Sequence, residues 1–433
     1  MKIKRLMIAL LLLLSLTGFT KINAGCDHNS LDGVWKTEGY GLILEAEHQA
    51  VNIYQTTSIS GFKAYQGTYN DNSIQLSNIT INYKFENDSL IIYHPYSGTR
   101  YQARRLAALP QFCKDGGTPE TADPILNFEI FWRTFNEQYA FFQLRGVNWE
   151  HQYCIYRPQI TKYTTPSQLF AIMCQMVQPL NDSHVSISDP KNEKEYNIGY
   201  DSEVIKKAKS MFLAREGVNR IGSQDYLAYQ YLANNIASIT VFAEFGYADS
   251  TDLEAEGKAI DQVIEALANQ KAIIIDLRNN EGGLDTIARL FAGRFADQKR
   301  LAYSKQARNG SGYTQLTDYY VEPQGSRQYH GKVIVLTSRN TVSAGEILVM
   351  CLKVLPNVTV IGEATNGCHS DALSWALPNG FNIGLANERY YAADHQIYEK
   401  IGLQPDVFIP YDFDAVLQGK DHIMEAAIEY IEK

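Results

Sequence analysis

Short segments of alternating apolar and polar residues run through the first third of the chain. Gly41-Leu42-Ile43-Leu44, Val51-Asn52-Ile53-Tyr54, Ser73-Ile74-Gln75-Leu76 and Ser89-Leu90-Ile91-Ile92-Tyr93 are divided by Gly, Asn and Asp turns. A period of two between turn signals predicts a small antiparallel barrel or sandwich from Leu31 to about Leu106. Its Trp35 and numerous Tyr read as core and surface filling rather than a ligand box. Beyond Asp115-Gly116-Gly117-Thr118-Pro119 the period lengthens: Phe128, Phe131, Trp132, Phe135 and Tyr139 recur every three or four residues, and Ser167 to Met176 gives a second apolar face. These predict a helical segment that ends in Leu180-Asn181-Asp182-Ser183-His184-Val185.

From Ile236 onward, continuous apolar runs alternate with helical periodicity. Ile236 to Val241, Ala272 to Asp276, Val333 to Thr337 and Val358 to Ile361 read as buried strands, with helices over Leu253 to Leu267, Thr286 to Phe295 and Ser343 to Val354. This order predicts an α/β core, a sheet with helices packed against it. Ligand chemistry in such layers sits beyond the carboxyl ends of the strands, which singles out the loops after Asp276 and after Thr337.

Composition narrows the class. The 433 residues are 45% hydrophobic and 20% charged, which excludes disorder, coiled coil and collagen. A formal net charge of -9 without a long single-sign block gives no footprint for nucleic acid. Six Cys without CxxC pairing suggest neither a disulfide framework nor a zinc site. At the start, Lys2, Lys4 and Arg5 precede an uncharged run from Leu6 to Thr20. That run is about 15 residues, short of the ~20 needed to span a bilayer, and reads as a signal peptide over residues 1–25 of an exported protein, periplasmic or extracellular. Cleavage after Ala24 or before Cys26 is compatible with the sequence. Cys26 is therefore either a lipidated residue anchoring the chain to the outer membrane or a disulfide partner of Cys113.

The loop Asp276-Leu277-Arg278-Asn279-Asn280-Glu281-Gly282-Gly283 opens a helix, and its paired glycines let backbone N–H groups approach a ligand. An ordinary turn braced by an Asp–Arg pair accounts for it equally well. The loop Ser338-Arg339-Asn340-Thr341-Val342-Ser343-Ala344-Gly345-Glu346 places Ser343 at a strand-to-helix junction, where a nucleophile can stand beside an oxyanion donor. Ser343-x-x-Glu346 also reads as a capping box. His184 is the best-placed candidate base, with Ser183 as a neighbour able to orient it, although a structural histidine fits there too. Lys353, the competing base, lies about 15 Å along the same helix.

These pieces resemble the tail-specific (C-terminal-processing) serine peptidase family, in its tricorn-like and interphotoreceptor-retinoid-binding-protein-like branch. The resemblance rests on Asp182-Ser183-His184-Val185, the two loops above, Gly362-Glu363-Ala364-Thr365-Asn366-Gly367 and Glu399-Lys400-Ile401-Gly402-Leu403-Gln404-Pro405-Asp406, in that order, and covers about Pro124 to Tyr411. It implies a crotonase/ClpP-like βαβ catalytic core over residues 230–425 and a helical tricorn-core-like segment over 120–190, while residues 27–110, outside the resemblance, read as a generic lipocalin-like antiparallel β domain. It also implies a tetrad of Ser343 as nucleophile, His184 as general base, Ser183 beside it and Glu399 as the acid, with Ser183 standing between Glu399 and the imidazole. Backbone N–H groups of Gly283 or Gly282 and of Ala344 would form the oxyanion hole. Family members with a Ser-Lys dyad carry Lys in the segment corresponding to Glu363 to His369, which here has none. About 46 residues, Pro190 to Asn235, separate the histidine region from the core, too few for the PDZ domain of many relatives. The implied function is peptide-bond hydrolysis through an acyl-enzyme, on polypeptide substrates, with no cofactor or metal. A non-catalytic peptide or lipid carrier on the same scaffold is the alternative, and an acyl-CoA enzyme conflicts with the export signal.

Overall fold

A computed structural model describes residues 30–433 apart from 78, 200–201 and 250–251. The leader and Cys26 lie outside the described residues. Among those described, Cys113 is a buried free thiol, and no helix is long and apolar enough to cross a membrane.

The alternating segments form a closed barrel of eight antiparallel strands, from Gly33–Thr37 to Arg100–Leu106. The last strand returns to the first, with Val34 opposite Leu106, so no edge is left unpaired. Trp35 is buried inside and donates its indole N–H to Leu31 O at 2.8 Å. Helices Pro124–Gln138, Phe142–Arg145, Trp149–Tyr156 and Pro166–Val177 follow. The first starts on an Asp123 cap and the last on a Thr165–Gln168 capping box. Phe128, Phe131, Phe135, Trp149, Met173 and Val177 share one core with Val185, Ile187 and Trp375. The segment carrying His184 is therefore held by the helices on one side and by the sheet strand Ser186–Asp189 on the other.

The α/β core is a seven-stranded mixed sheet in the spatial order Asn219–Ile221, Leu227–Tyr231, Ile236–Val241, Ala272–Asp276, Lys332–Thr337, Val358–Gly362, Val407–Phe408. The first three strands are antiparallel and the remaining pairings parallel. The wholly buried Ala272–Asp276 sits mid-sheet, as its apolar run requires. Residues between the histidine region and the core, which the sequence reading left unassigned, form helix Ser202–Leu213 and the two outer strands of this sheet.

The barrel meets the core through one buried cation. Lys305 Nζ contacts Thr99 Oγ1 of the barrel at 2.7 Å, Tyr390 Oη at 2.9 Å, Glu388 Oε2 at 3.1 Å and Asp371 Oδ2 at 3.2 Å. Asp285 Oδ2 lies at 4.0 Å, and the barrel's Tyr40 hydroxyl donates to Glu388 Oε1 at 2.6 Å. Three carboxylates against one ammonium leave an excess of negative charge. Burial, with the Asp371 charge beside them, pushes Asp285 and Glu388 up to about 7 despite Lys305. A second contact is backbone: Thr286 N–H donates to Tyr96 O at 3.0 Å, just beyond the paired glycines.

Candidate active site

Three loops beyond the carboxyl ends of the parallel strands converge. The loop after Asp276 is shaped by Asn280, whose Oδ1 accepts Gly282 N–H at 2.9 Å and whose Nδ2 donates to Val241 O at 3.0 Å and Glu244 Oε1 at 2.6 Å. Gly345 is small for this reason: a Cβ there would collide with the Asn280 amide. Arg278 does brace the turn, pairing with Asp276 at 2.7 Å and with Asp421 at 2.6 Å. The two loops are stapled as well, with Thr341 Oγ1 donating to Leu277 O at 2.7 Å.

Ser343 stands at the start of helix Ala344–Lys353 with φ 53° and ψ -125° and makes no side-chain cap hydrogen bond. The capping-box reading therefore does not describe it. Glu346 turns away to the third loop, where its carboxylate accepts the N–H groups of Gly367 and Cys368, both at 2.8 Å, and the Thr365 hydroxyl at 2.5 Å. A positive φ at a non-glycine residue is a strained conformation, which a strand-to-helix junction uses to hold a side chain clear of the chain. Gly282 packs directly on it, since a Cβ on Gly282 would lie 2.7 Å from Ser343 Cβ and 3.3 Å from Ala344 N. Gly283, at φ 157°, lets its backbone run against Glu244, which exchanges bonds with the flanking residues: Glu244 N–H to Gly282 O at 3.1 Å and Leu284 N–H to Glu244 O at 3.0 Å. Burial pushes the Glu244 carboxyl up to about 8, only partly offset by Asn280.

His184 reaches these loops from the helical side. Its backbone N–H donates to Asp182 Oδ1 at 2.9 Å, and Asp182 Oδ2 accepts the Tyr139 hydroxyl at 2.7 Å. The imidazole Nδ1 lies 3.1 Å from Cys368 Sγ, and Cys368 O accepts Ser343 N–H at 3.1 Å. Cys368 thus touches both the candidate nucleophile and the candidate base. Ser183 faces elsewhere: its hydroxyl contacts Asn366 Oδ1 at 3.2 Å and Gly199 O at 3.4 Å. Glu399 is buried and occupied by Arg145 Nη2 at 2.9 Å and the His369 N–H at 3.0 Å.

Two more buried groups complete the surroundings. His369 has Nε2 3.3 Å from Glu346 Oε1 and Nδ1 3.8 Å from Glu399 Oε2. Burial disfavours its charge, but Glu346 and then Glu399 outweigh it and raise the imidazole. Burial likewise pushes Glu399 up, yet His369 and Arg145 more than offset it and hold the carboxyl below its usual range. Asp182 is raised, first by burial and then by Glu399. The Asp182 carboxylate, a His184 ring nitrogen and Cys368 Sγ lie within 4.8 Å of one another, the donor set among the described residues that could gather at a metal ion. Both Asp182 oxygens already accept the hydrogen bonds given above.

Arg145, Asp182 and His369 had no assigned role in the sequence reading. Asp182 and His369 sit inside or beside the quoted motifs, so motif context could have raised them. Arg145 carries no local signal, since it meets Glu399 across 254 positions.

Residues 240–409 match the peptidase family S41 model, and residues 122–178 match the tricorn protease C1 domain. A carboxy-terminal processing protease of Bacillus subtilis is 30% identical over 176 residues, 40% of this chain and 35% of that protein. A carboxyl-terminal-processing protease of Picosynechococcus is 27% identical over 170 residues, 39% of each chain. The chain therefore matches well under half the length of either relative. A crystal structure from Parabacteroides merdae superposes with a TM-score of 0.61 at 24% identity, covering 72% of this chain and 97% of that one, a likeness of fold. The S41 match spans Ser343 and Glu399 and the tricorn match ends just before the His184 turn, and together with the curated relatives they make the chain similar to the tail-specific, S41/tricorn-related serine peptidases.

Proposed function

We propose that the protein is an exported serine peptidase that cleaves polypeptides through an acyl-enzyme. Ser343 Oγ attacks the scissile carbonyl while His184 Nε2 takes its proton and later passes it to the leaving amine. The oxyanion is received by the N–H groups of Ala344, which at the first helical position has no partner within the helix, and of Gly283. Gly282 is the weaker candidate because its N–H is engaged by Asn280. Ser183 and Glu399 are the remaining members of the tetrad that the family resemblance implies, with the Ser183 hydroxyl turned to Asn366 and Gly199 and Glu399 a buried carboxylate paired with Arg145. The observation that carries this reading is Ser343 itself: a positive-φ serine opening a helix, packed on Gly282 and joined through Cys368 to His184.

On this reading residues 230–425 are a crotonase/ClpP-like catalytic core, residues 120–190 supply the base, and the lipocalin-like barrel over 27–110 is an accessory module. An open, mainly apolar groove lined by Leu284, Phe245, Leu253 and the barrel's Tyr96 runs on from the glycine loop and would take substrate side chains. Lipidation of Cys26 would anchor the protein to a membrane. The test is covalent labelling by a fluorophosphonate: Ser343 is labelled in the wild type and not in Ser343→Ala or His184→Ala. Folded wild-type protein that resists the reagent would overturn the proposal.

A further inference from the structure

In a serine peptidase the base needs an acceptor for its Nδ1–H. That bond keeps the Nε2 lone pair aimed at the nucleophile and stabilises the imidazolium formed in the transition state. The tetrad assigns this place to Ser183, but the Ser183 hydroxyl is spent on Asn366 and Gly199. The Glu399 oxygens are spent on Arg145 and on the His369 N–H. The atom that faces Nδ1 is the sulfur of Cys368, at 3.1 Å.

We propose that Cys368 is the positioning residue of this site, accepting the His184 Nδ1–H and holding the ring toward Ser343. This inference rests on the peptidase reading above. Two observations carry it. First, Cys368 is fixed from both sides: Glu346 accepts its N–H at 2.8 Å and its own carbonyl accepts Ser343 N–H at 3.1 Å. Base and nucleophile are thereby referred to one residue. Second, the thiol is nearly inaccessible and sits among carboxylates, so it remains protonated: burial, then Glu399, Asp182 and Glu346, push it far up, only partly opposed by Arg145. A neutral, buried thiol is a poor nucleophile, which leaves the attack to Ser343. The buried His369, set between Glu346 and Glu399, keeps those two carboxylates in place beneath the loop.

The experiment compares Cys368→Ser, which keeps a small acceptor, with Cys368→Ala, which removes it. The readout is the rate of fluorophosphonate labelling of Ser343 across pH 5 to 9. Cys368→Ala should label about 10-fold or more slowly than wild type. Its acid limb should lie at lower pH, because an unsupported imidazolium loses its proton more readily. Cys368→Ser should restore the rate to within about threefold of wild type and the limb to its original position. Wild-type rate and acid limb in Cys368→Ala would overturn the inference, as would equal losses in both variants with unchanged melting temperatures. A Ser343→Ala protein still labelled, at Cys368, would overturn it by making the thiol the nucleophile. Wild-type protein that is folded but unlabelled would remove the peptidase reading and this inference together. A labelled wild type with an unaffected Cys368→Ala removes this inference alone.

Discussion

Gly282 and Ser343 are in backbone-to-side-chain contact so close that no Cβ fits between them: one built on Gly282 would stand 2.7 Å from Ser343 Cβ. Gly282 also has a φ of 86°, so alanine there is both strained and obstructed. Gly282→Ala is expected to slow labelling of Ser343 by about 100-fold, the scale of losing an oxyanion donor. Labelling kinetics alongside a thermal melt check this; a folded variant with the wild-type rate would count against the contact mattering.

The backbone of Ser343 makes a separate prediction about stability. Its φ of 53° with ψ of -125° suits glycine. Ser343→Gly and Ser343→Ala should both be unreactive, but the glycine variant should be the more stable by about 1 kcal/mol, because only it relieves the strain. Denaturant unfolding of the pair reads the difference, and a more stable alanine variant would show that no strain resides there.

Glu244 ties stability to pH. Its folded pKa of about 8 lies above the ordinary carboxyl value of 4.5. Between those values the unfolded chain loses a proton that the folded chain keeps, so this group's contribution is full below pH 4.5 and declines as pH rises toward 8. Glu244→Gln keeps an acceptor for Asn280 and removes the titration. It should gain stability relative to wild type on going from pH 5 to pH 8, by a few kcal/mol. Parallel pH profiles for the two proteins would refute this.

Lys305 should be costly to remove. Lys305→Met leaves Asp371, Glu388 and Asp285 facing one another in a buried site, and a loss of about 3 to 5 kcal/mol is expected. The loss should shrink at pH 5, where Asp285 and Glu388, both near 7, take up protons. Unfolding at pH 5 and pH 8 tests both the size and the direction.

Periodicity located the barrel, the helical segment and the core strands because each buries one face or both against a neighbour, and that leaves a local pattern. It could not settle Ser343-x-x-Glu346, since a capping box and a nucleophile turn use the same letters. The choice was made by Glu346 finding better donors in Gly367 and Cys368. Helix Ser202–Leu213 and its two strands were missed because outer strands of three and five residues carry too short a pattern. Arg145 and Lys305 were invisible for another reason. Each is a polar residue in a place where hydrophobic spacing says nothing, and its partners come from elements far away in the chain. Cys368 carries no local signal in the sequence either, and only the position of the His184 ring gives its sulfur a partner.

Asp285 follows the glycine loop by two residues, and Asp371 follows Cys368 by three. Both answer to Lys305, on which the barrel also rests through Thr99. The spacing of the glycine loop and the Cys368 loop is thus gauged by a single amine. The barrel shares in setting that gauge, so cutting it away would shift the two loops relative to each other without changing a residue of either.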